Sequence, residues 1–366
     1  MFLRKTYLES RLALPDTGEH TTDIAMREPI TNLWLEFRAT NGATNNQANL
    51  LADCVSAIEV IDGSEVVFSL DGYEALALGA YLGEELNNQM ISEVGGHTQN
   101  LAVPIYFGRY IGDPDYAFDP GHFVNPQVRV KWNLAAIRAV GITGFVSGTL
   151  RLTVLANVME AAAVPKGYMM SKEIYSYVPA VGIEYIDLPT DYPYRGLLFR
   201  DWMATKSVYG LVSALKMHCD QERVIPFNMR MTDILRYQTL RRPRFQYLHW
   251  FHEQDADTLY HILKHEECAT FNVPIVADAF AAYDTVGIGE GVLHLSAAGA
   301  VRNVDTEFVS CCNGYAPFGC IYIPFNVEDT PVEYFPAPEF RSVRLEATGG
   351  AAGGNAYACL IQEHPY

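Results

Sequence analysis

The chain says nearly the same thing twice. Gly18, Asp23-Ile24, Pro29 and Leu33-Trp34-Leu35 recur, at one constant offset, as Gly182, Asp187-Leu188, Pro193 and Leu197-Leu198-Phe199. Farther along, Val55-Ser56-Ala57-Ile58 recurs as Val212-Ser213-Ala214-Leu215. A third echo sets Asn100-Leu101-Ala102-Val103-Pro104-Ile105 against Asn272-Val273-Pro274-Ile275. The offset drifts between echoes while their order holds, as in a duplicated domain whose loops changed length and whose strands did not. A repeat this long means two whole domains in tandem, not a solenoid of small units.

The 366 residues suffice for two domains, each with its own core. Hydrophobic residues make up 49% and charged residues 19%, a globular balance. With 22 Tyr and 18 Phe the chain favours strands. A formal net charge of −17 argues against wrapping nucleic acid, where neutralisation of phosphates by Lys and Arg supplies most of the affinity, and no sequence-specific nucleic-acid binding is expected. The seven Cys, at 54, 219, 268, 311, 312, 320 and 359, are odd in number and irregularly spaced, so reduced thiols in a cytoplasmic assembly are expected rather than a disulfide framework. After Arg4 and Lys5 the run Thr6-Tyr7-Leu8-Glu9-Ser10 is too polar for a signal peptide. No run approaches the roughly 18 apolar residues of a membrane span.

Residues 1–17 read as an N-terminal arm bearing Arg4, Lys5 and Arg11, with Leu8 and Leu12 at the spacing of an amphipathic turn; it either orders against a neighbouring subunit or an anionic lipid surface, or is a disordered tail without a role. The first domain then spans 18–160, a short linker 161–167, and the second domain 168–366. Strands are expected at Leu33–Phe37, Ala57–Ile61, Glu65–Leu70, Val128–Trp132 and Thr149–Leu155, with Asp62-Gly63 as a hairpin turn. Asp71 and Glu74 form a capping box for a helix running towards Asn87. A matching helix is expected near Thr232–Leu235, and an extra one around Asp257–Glu267. The second domain reads as ending in a hairpin whose glycine-rich loop, Gly349–Gly354, joins Arg341–Glu346 to Ala356–Ile361; the first reads as ending likewise, with Gly141–Gly148 before its last strand.

Many short strands with frequent turns imply an all-β fold of two tandem jelly rolls, each an eight-stranded β-sandwich with a short inserted helix. On the internal repeat, the short linker, the helix placed among the strands, and segments such as Val103-Pro104-Ile105-Tyr106-Phe107 and Tyr116-Ala117-Phe118-Asp119-Pro120, the chain resembles the double jelly-roll major capsid proteins of the PRD1–adenovirus lineage. The resemblance covers Gly18 to the end and suits a compact version from a tailless icosahedral bacteriophage, without long tower loops. It implies a homotrimer with six similar lobes, a pseudo-hexamer that tiles an icosahedral shell in the virion. It further implies assembly in the host cytoplasm, a penton or vertex protein as partner, and an internal membrane near the arm.

No catalytic, cofactor-binding or metal-binding residue is assigned. There is no G-x-S-x-G elbow, P-loop or H-E-x-x-H, and no H-x-H of a metal-dependent cupin. Gly287-Ile288-Gly289-Glu290-Gly291 reads as a turn. His249, His252, Glu253, His261 and His265 cluster in sequence; His261 and His265 would share one face of the extra helix, and a polar interface helix is preferred over a zinc site. Arg236, Arg241, Arg242 and Arg244 read as intersubunit pairing, and Asp113-Pro114-Asp115 with Asp119 as a turn rather than a Ca²⁺ loop. Trp34, Trp132, Trp202 and Trp250 are expected mostly in the core. The rival reading, a carbohydrate- or receptor-binding virion protein, would need an exposed aromatic platform. A two-domain enzyme ranks behind both.

Overall fold

The computed structural model describes residues 2–43, 50–83, 89–92, 94–138, 144–161, 164–203, 206–241, 245–253, 259–262, 267–274, 287–288, 292–295 and 306–366. The first lobe contains β1 (Phe2–Ala13), β2 (Thr17–Asp23), β3 (Ile30–Thr40), β4 (Val55–Asp62), β5 (Glu65–Leu70), α1 (Gly72–Leu82), β6 (Gln89–Ser92), β7 (Thr98–Tyr106), β8 (Pro126–Asn133), α2 (Leu134–Arg138) and β9 (Arg151–Glu160). Its two sheets run β1-β9-β3-β7 and β2-β8-β4-β5. Apart from the β4–β5 hairpin and β6, which joins another sheet, successive strands alternate between the two sheets, which is the connectivity of a jelly roll.

The second lobe repeats that plan. It has β10 (Gly167–Tyr177), β11 (Gly182–Leu188), β12 (Tyr194–Trp202), α3 (Val208–Leu211), β13 (Val212–Cys219), β14 (Val224–Arg230) and α4 (Met231–Arg241). An insertion follows: β15 (Phe245–Glu253), β16 (Leu259–Ile262), β17 (Glu267–Pro274), β18 (Gly287–Ile288), β19 (Val292–Leu295) and β20 (Thr306–Tyr315). The sandwich resumes with β21 (Cys320–Pro324), β22 (Val343–Gly349) and β23 (Asn355–Pro365). The sheets are β10-β23-β12-β21 and β11-β22-β13-β14, each order matching its counterpart in the first lobe. The insertion builds a separate sheet, β18-β17-β20-β15-β6, whose edge strand comes from the first lobe. The length that distinguishes the second half thus makes structure of its own between α4 and β21.

Two of the three sequence echoes fall on equivalent strands. Leu33–Phe37 lies in β3 and Leu197–Arg200 in β12, each pairing with the last strand of its lobe. Val55–Ile58 begins β4 and Val212–Leu215 begins β13. The third does not. Asn100–Ile105 lies in β7, at the edge of a sandwich, whereas Asn272–Pro274 lies in β17 of the insertion and Ile275 outside the described residues. The true counterpart of β7 is β21.

Four further expectations are corrected. The N-terminal arm is β1, hydrogen-bonded antiparallel to β9 from Phe2↔Glu160 to Ala13↔Arg151, with Arg4 Nε 2.5 Å from Glu160 Oε1. A strand held this way is not the amphipathic turn that the spacing of Leu8 and Leu12 suggests. The expected terminal hairpins are absent: β22 pairs with β11 and β13, β23 with β10 and β12, so the glycine-rich loop crosses between sheets. In the first lobe β8 and β9 likewise lie in opposite sheets. The extra helix is not formed at 259–262 or from 267, where β16 and β17 lie; 254–258 and 263–266 are outside the described residues. The helix capped by Asp71 stops at Leu82, short of Asn87.

The helix near Thr232 is α4, and Asp62-Gly63 turns β4 into β5, with Gly63 at φ 60°. Each sandwich encloses alternate residues of its strands. Leu33, Leu35 and Phe37 of β3 and Leu197 and Phe199 of β12 are fully buried. Each such side chain contributes about 1.5–3 kcal/mol through its removal from water.

Candidate functional site

The most elaborate chemistry lies where the two lobes meet. β5 pairs with β10 in parallel (Phe68↔Ser171, Ser69↔Lys172), so one sheet of the first lobe continues into one sheet of the second as β2-β8-β4-β5-β10-β23-β12-β21. α1 lies beside this seam and touches β7 of its own lobe and β12 and β21 of the other. Apart from Glu74, its sequence, GYEALALGAYL, is apolar on all sides, as an enclosed helix requires. Leu198, Cys320, Tyr322, Cys359 and Ile361, on the outer face of the second lobe, pack into the same apolar cluster as α1 and the first-lobe core.

The N-terminus of α1 carries a buried charge cluster. Asp71 Oδ1 accepts the Glu74 amide at 2.7 Å, and Glu74 Oε2 accepts the Asp71 amide at 3.1 Å. Arg200, from β12 of the other lobe, donates to Asp71 and stacks on the rings of Tyr73 and Tyr357 at 5.0 and 5.1 Å. Burial is the largest influence and opposes the Arg200 charge, but Asp71 together with Cys320, Glu74 and Tyr357 outweighs it and keeps the guanidinium protonated. Glu74 is fully buried and its Oε1 has no partner. Burial, reinforced by Asp71, pushes its pKa up to about 8. Burial thus biases Glu74 towards its protonated form, beside the Asp71–Arg200 ion pair.

A second network closes the other end of the seam. Arg109 grips Asp113 at 2.7 and 2.8 Å and Asp115 at 2.9 Å, and Lys166 lies 2.8 Å from Asp115. These carboxylates serve a structural turn, with Asp113 wholly buried. Arg195 of β12 pairs with Asp329 and donates to the first-lobe carbonyl of Arg109 at 3.0 Å. The C-terminal Tyr366 is fixed to the first lobe: the Asp119 amide donates to its hydroxyl at 2.6 Å, and that hydroxyl donates to the Ala117 carbonyl at 2.7 Å. A cavity of about 300 Å³ opens between these networks, lined by Tyr81, Arg109, Arg195, Gln238 and Asp329 among others. Its two guanidiniums, Arg109 and Arg195, are matched by carboxylates.

The residues singled out from sequence do not converge. His249, His252 and Glu253 lie on β15 and His261 on β16, a different sheet, while His265 is outside the described residues. No three His, Cys, Asp or Glu side chains approach as metal ligands among the described residues. Arg236 is exposed on α4, 4.0 Å from Asp233; Arg242 and Arg244 fall outside the described residues. Cys54, Cys219, Cys320 and Cys359 are buried free thiols, and burial pushes Cys54 up to about 12 and Cys219 up to about 11. Of the tryptophans Trp132 is buried, whereas Trp34, Trp202 and Trp250 are half-buried, so the expectation that most would be core fails. Asp71 was found from sequence as a cap; its partner Arg200 carried no local signal, being 129 residues away.

No protein-family model matches the chain, and no curated protein matches it. Solved structures do. The major capsid protein P2 from bacteriophage PM2 has 9% identity and a TM-score of 0.56, covering 100% of this chain and 98% of its own. The atomic structure of Sulfolobus Turreted Icosahedral Virus gives 9% identity and a TM-score of 0.59, over 99% of this chain and 91% of the other. The PBCV-1 virus capsid gives 10% and 0.55, over 99% and 93%. The chain has the fold of the double jelly-roll major capsid proteins of the PRD1–adenovirus lineage, as the sequence resemblance implied.

Proposed function

We propose that this chain is a viral major capsid protein, a structural component of the virion whose work is assembly and not turnover. One observation carries the reading: the likeness to capsid proteins spans both lobes and the join between them, end to end on both sides of the comparison. Fold likeness at this identity is an analogy for function. The physical logic of the seam adds to it. A continuous sheet, an enclosed helix and two buried ion networks make the two lobes one rigid block. Shell building needs such a block, since a hinge between lobes would spread the contact angles.

The unit of assembly in this reading is a homotrimer, whose three chains supply six similar lobes and a pseudo-hexagonal outline. Rotational contacts that close into a ring fit the symmetry of soluble oligomers. A shell of six-lobed units needs a different, five-fold unit at its vertices, so a penton protein is the expected partner. A bacteriophage as the virus and assembly in its host's cytoplasm belong to the same proposal. Electron microscopy of the purified protein at high concentration tests it: triangular or hexagonal particles are expected, and dispersed single chains would contradict it.

A further inference from the structure

The seam inside one chain has two unused halves elsewhere on the same chain. In the seam, β5 and the start of α1 from the first lobe meet β10 and the outer face of β12 from the second. Strand equivalence assigns the counterparts. β14 and the start of α4 in the second lobe correspond to β5 and the start of α1. β1 and the outer face of β3 in the first lobe correspond to β10 and the outer face of β12. Among the described residues β14 and β1 are both edge strands.

The ladders fix this correspondence residue by residue. Ser171 and Lys172 pair with Ile361 and Leu360 of β23, which pair onward with Gly196 and Leu197; Lys5 and Thr6 pair with Asn157 and Ala156 of β9, which pair onward with Asn32 and Leu33. Lys5 and Thr6 thus stand where Ser171 and Lys172 stand. By the same route, Phe68 and Ser69 lie opposite Val60 and Glu59, and Phe227 and Asn228 lie opposite Met217 and Lys216.

Exposure separates the used and unused copies. Tyr168 and Met169, on β10 at the seam, are 0% and 1% exposed. Their counterparts on β1, Phe2 and Leu3, are 65% and 39% exposed. On the complementary edge, Val224 and Ile225 of β14 are 39% and 44% exposed. Nearer the charges, Phe227 and Met229 of β14 are part-exposed, whereas their twins on β5, Phe68 and Leu70, are buried.

The charges correspond as well, with sign reversed. The seam is pinned by Asp71, at the end of β5, and Arg200 on β12. The residue in the place of Asp71 is Arg230, the last of β14 and exposed. The residue in the place of Arg200 is Glu36, on the outer face of β3, part-exposed with Arg38 4.0 Å away. Swapping both signs preserves the attraction.

We infer that a second copy of this chain docks here: β14 of one chain pairs in parallel with β1 of the next, Phe227 opposite Lys5 and Asn228 opposite Thr6, and Arg230 binds Glu36 across the contact. This deepens the capsid proposal and rests on it. Each chain then offers one donor side (β14 and α4) and one acceptor side (β1 and β3). Repeated head to tail, the contact closes after three chains, because the seam and the new contact then alternate around six equivalent lobes. The edges of β1 and β14, which would otherwise invite unregulated pairing, are covered in the ring.

Charge reversal tests it. Glu36→Arg and Arg230→Glu should each weaken the trimer about 10-fold or more in native mass spectrometry, since facing like charges are repulsive. The two together should restore it. Independently, Thr6→Cys with Asn228→Cys should give covalently linked trimers on oxidation, lost on reduction, because adjacent strands bring the two Cα atoms within disulfide reach. Trimers that ignore both single reversals and leave the cysteine pair unlinked would overturn this contact while leaving the capsid reading intact. A native chain that stays monomeric at all concentrations would overturn both.

Discussion

The two lobes solve one packing problem with different chemistry. In the first, α1 is, apart from Glu74, apolar all round and almost wholly buried, because the second lobe closes over it. In the second, α4 carries Asp233, Arg236 and Tyr237 at exposed positions. Each helix also lies on the strand that follows it in its sandwich, β7 or β21. α1 does so by close approach, with Gly79 against Pro104. α4 uses a hydrogen bond at the equivalent place, Gln238 Nε2 donating to the Tyr322 carbonyl at 2.7 Å. A contact made once, within a chain, can be apolar and permanent. A surface that must stay soluble until a partner arrives has to remain part polar.

Removing Arg200 should break this asymmetry most severely. Arg200→Ala strands Asp71 in the seam and opens the cation-facing sides of Tyr73 and Tyr357, so a loss of about 3–5 kcal/mol is expected, the usual cost of breaking a buried pair from one side. Chemical denaturation should read it directly.

Gly79→Ala comes next. A methyl there would sit 2.4 Å from Pro104 Cγ, so α1 or β7 must shift, at about 1–3 kcal/mol. In an ordinary exposed helix the same change would stabilise. A raised melting temperature would mean that α1 is less enclosed than described.

The third effect is gated by pH. Burial chiefly raises the pKa of Glu74 in the folded chain to about 8 from its ordinary value of 4.5. Between those values the folded chain holds a proton that the unfolded chain has released, so this group makes stability fall as pH rises across that window. Glu74→Gln keeps an acceptor for the Asp71 amide and removes the titration. The variant and the parent should melt together near pH 5, and the variant should melt higher near pH 8. Identical shifts at both pH values would refute the protonated Glu74.

Much of this architecture was legible because duplication writes strand identity twice. Leu33–Leu35 with Leu197–Phe199, and Val55–Ile58 with Val212–Leu215, mark the third and fourth strands of each sandwich. The third echo misled because Val-Pro-Ile is generic strand text; the real counterpart, Cys320–Pro324, shares little of it. β1 was missed for a different reason. Its partner β9 lies some 150 residues on, and Arg4, Lys5, Glu9 and Arg11 mask its alternation, so nothing local says strand. The seam was illegible for the same reason: Arg200–Asp71 and β5–β10 are pairings between domains, and a linear pattern records neither.

The central claim is that the fused lobes are half of a repeating contact that three chains complete. Native mass spectrometry of the purified chain across a concentration series tests it most directly. The account predicts a species of three chains as the dominant assembly at micromolar protein, dissociating to single chains without accumulating dimers. A stable dimer, or single chains alone throughout the series, would contradict it.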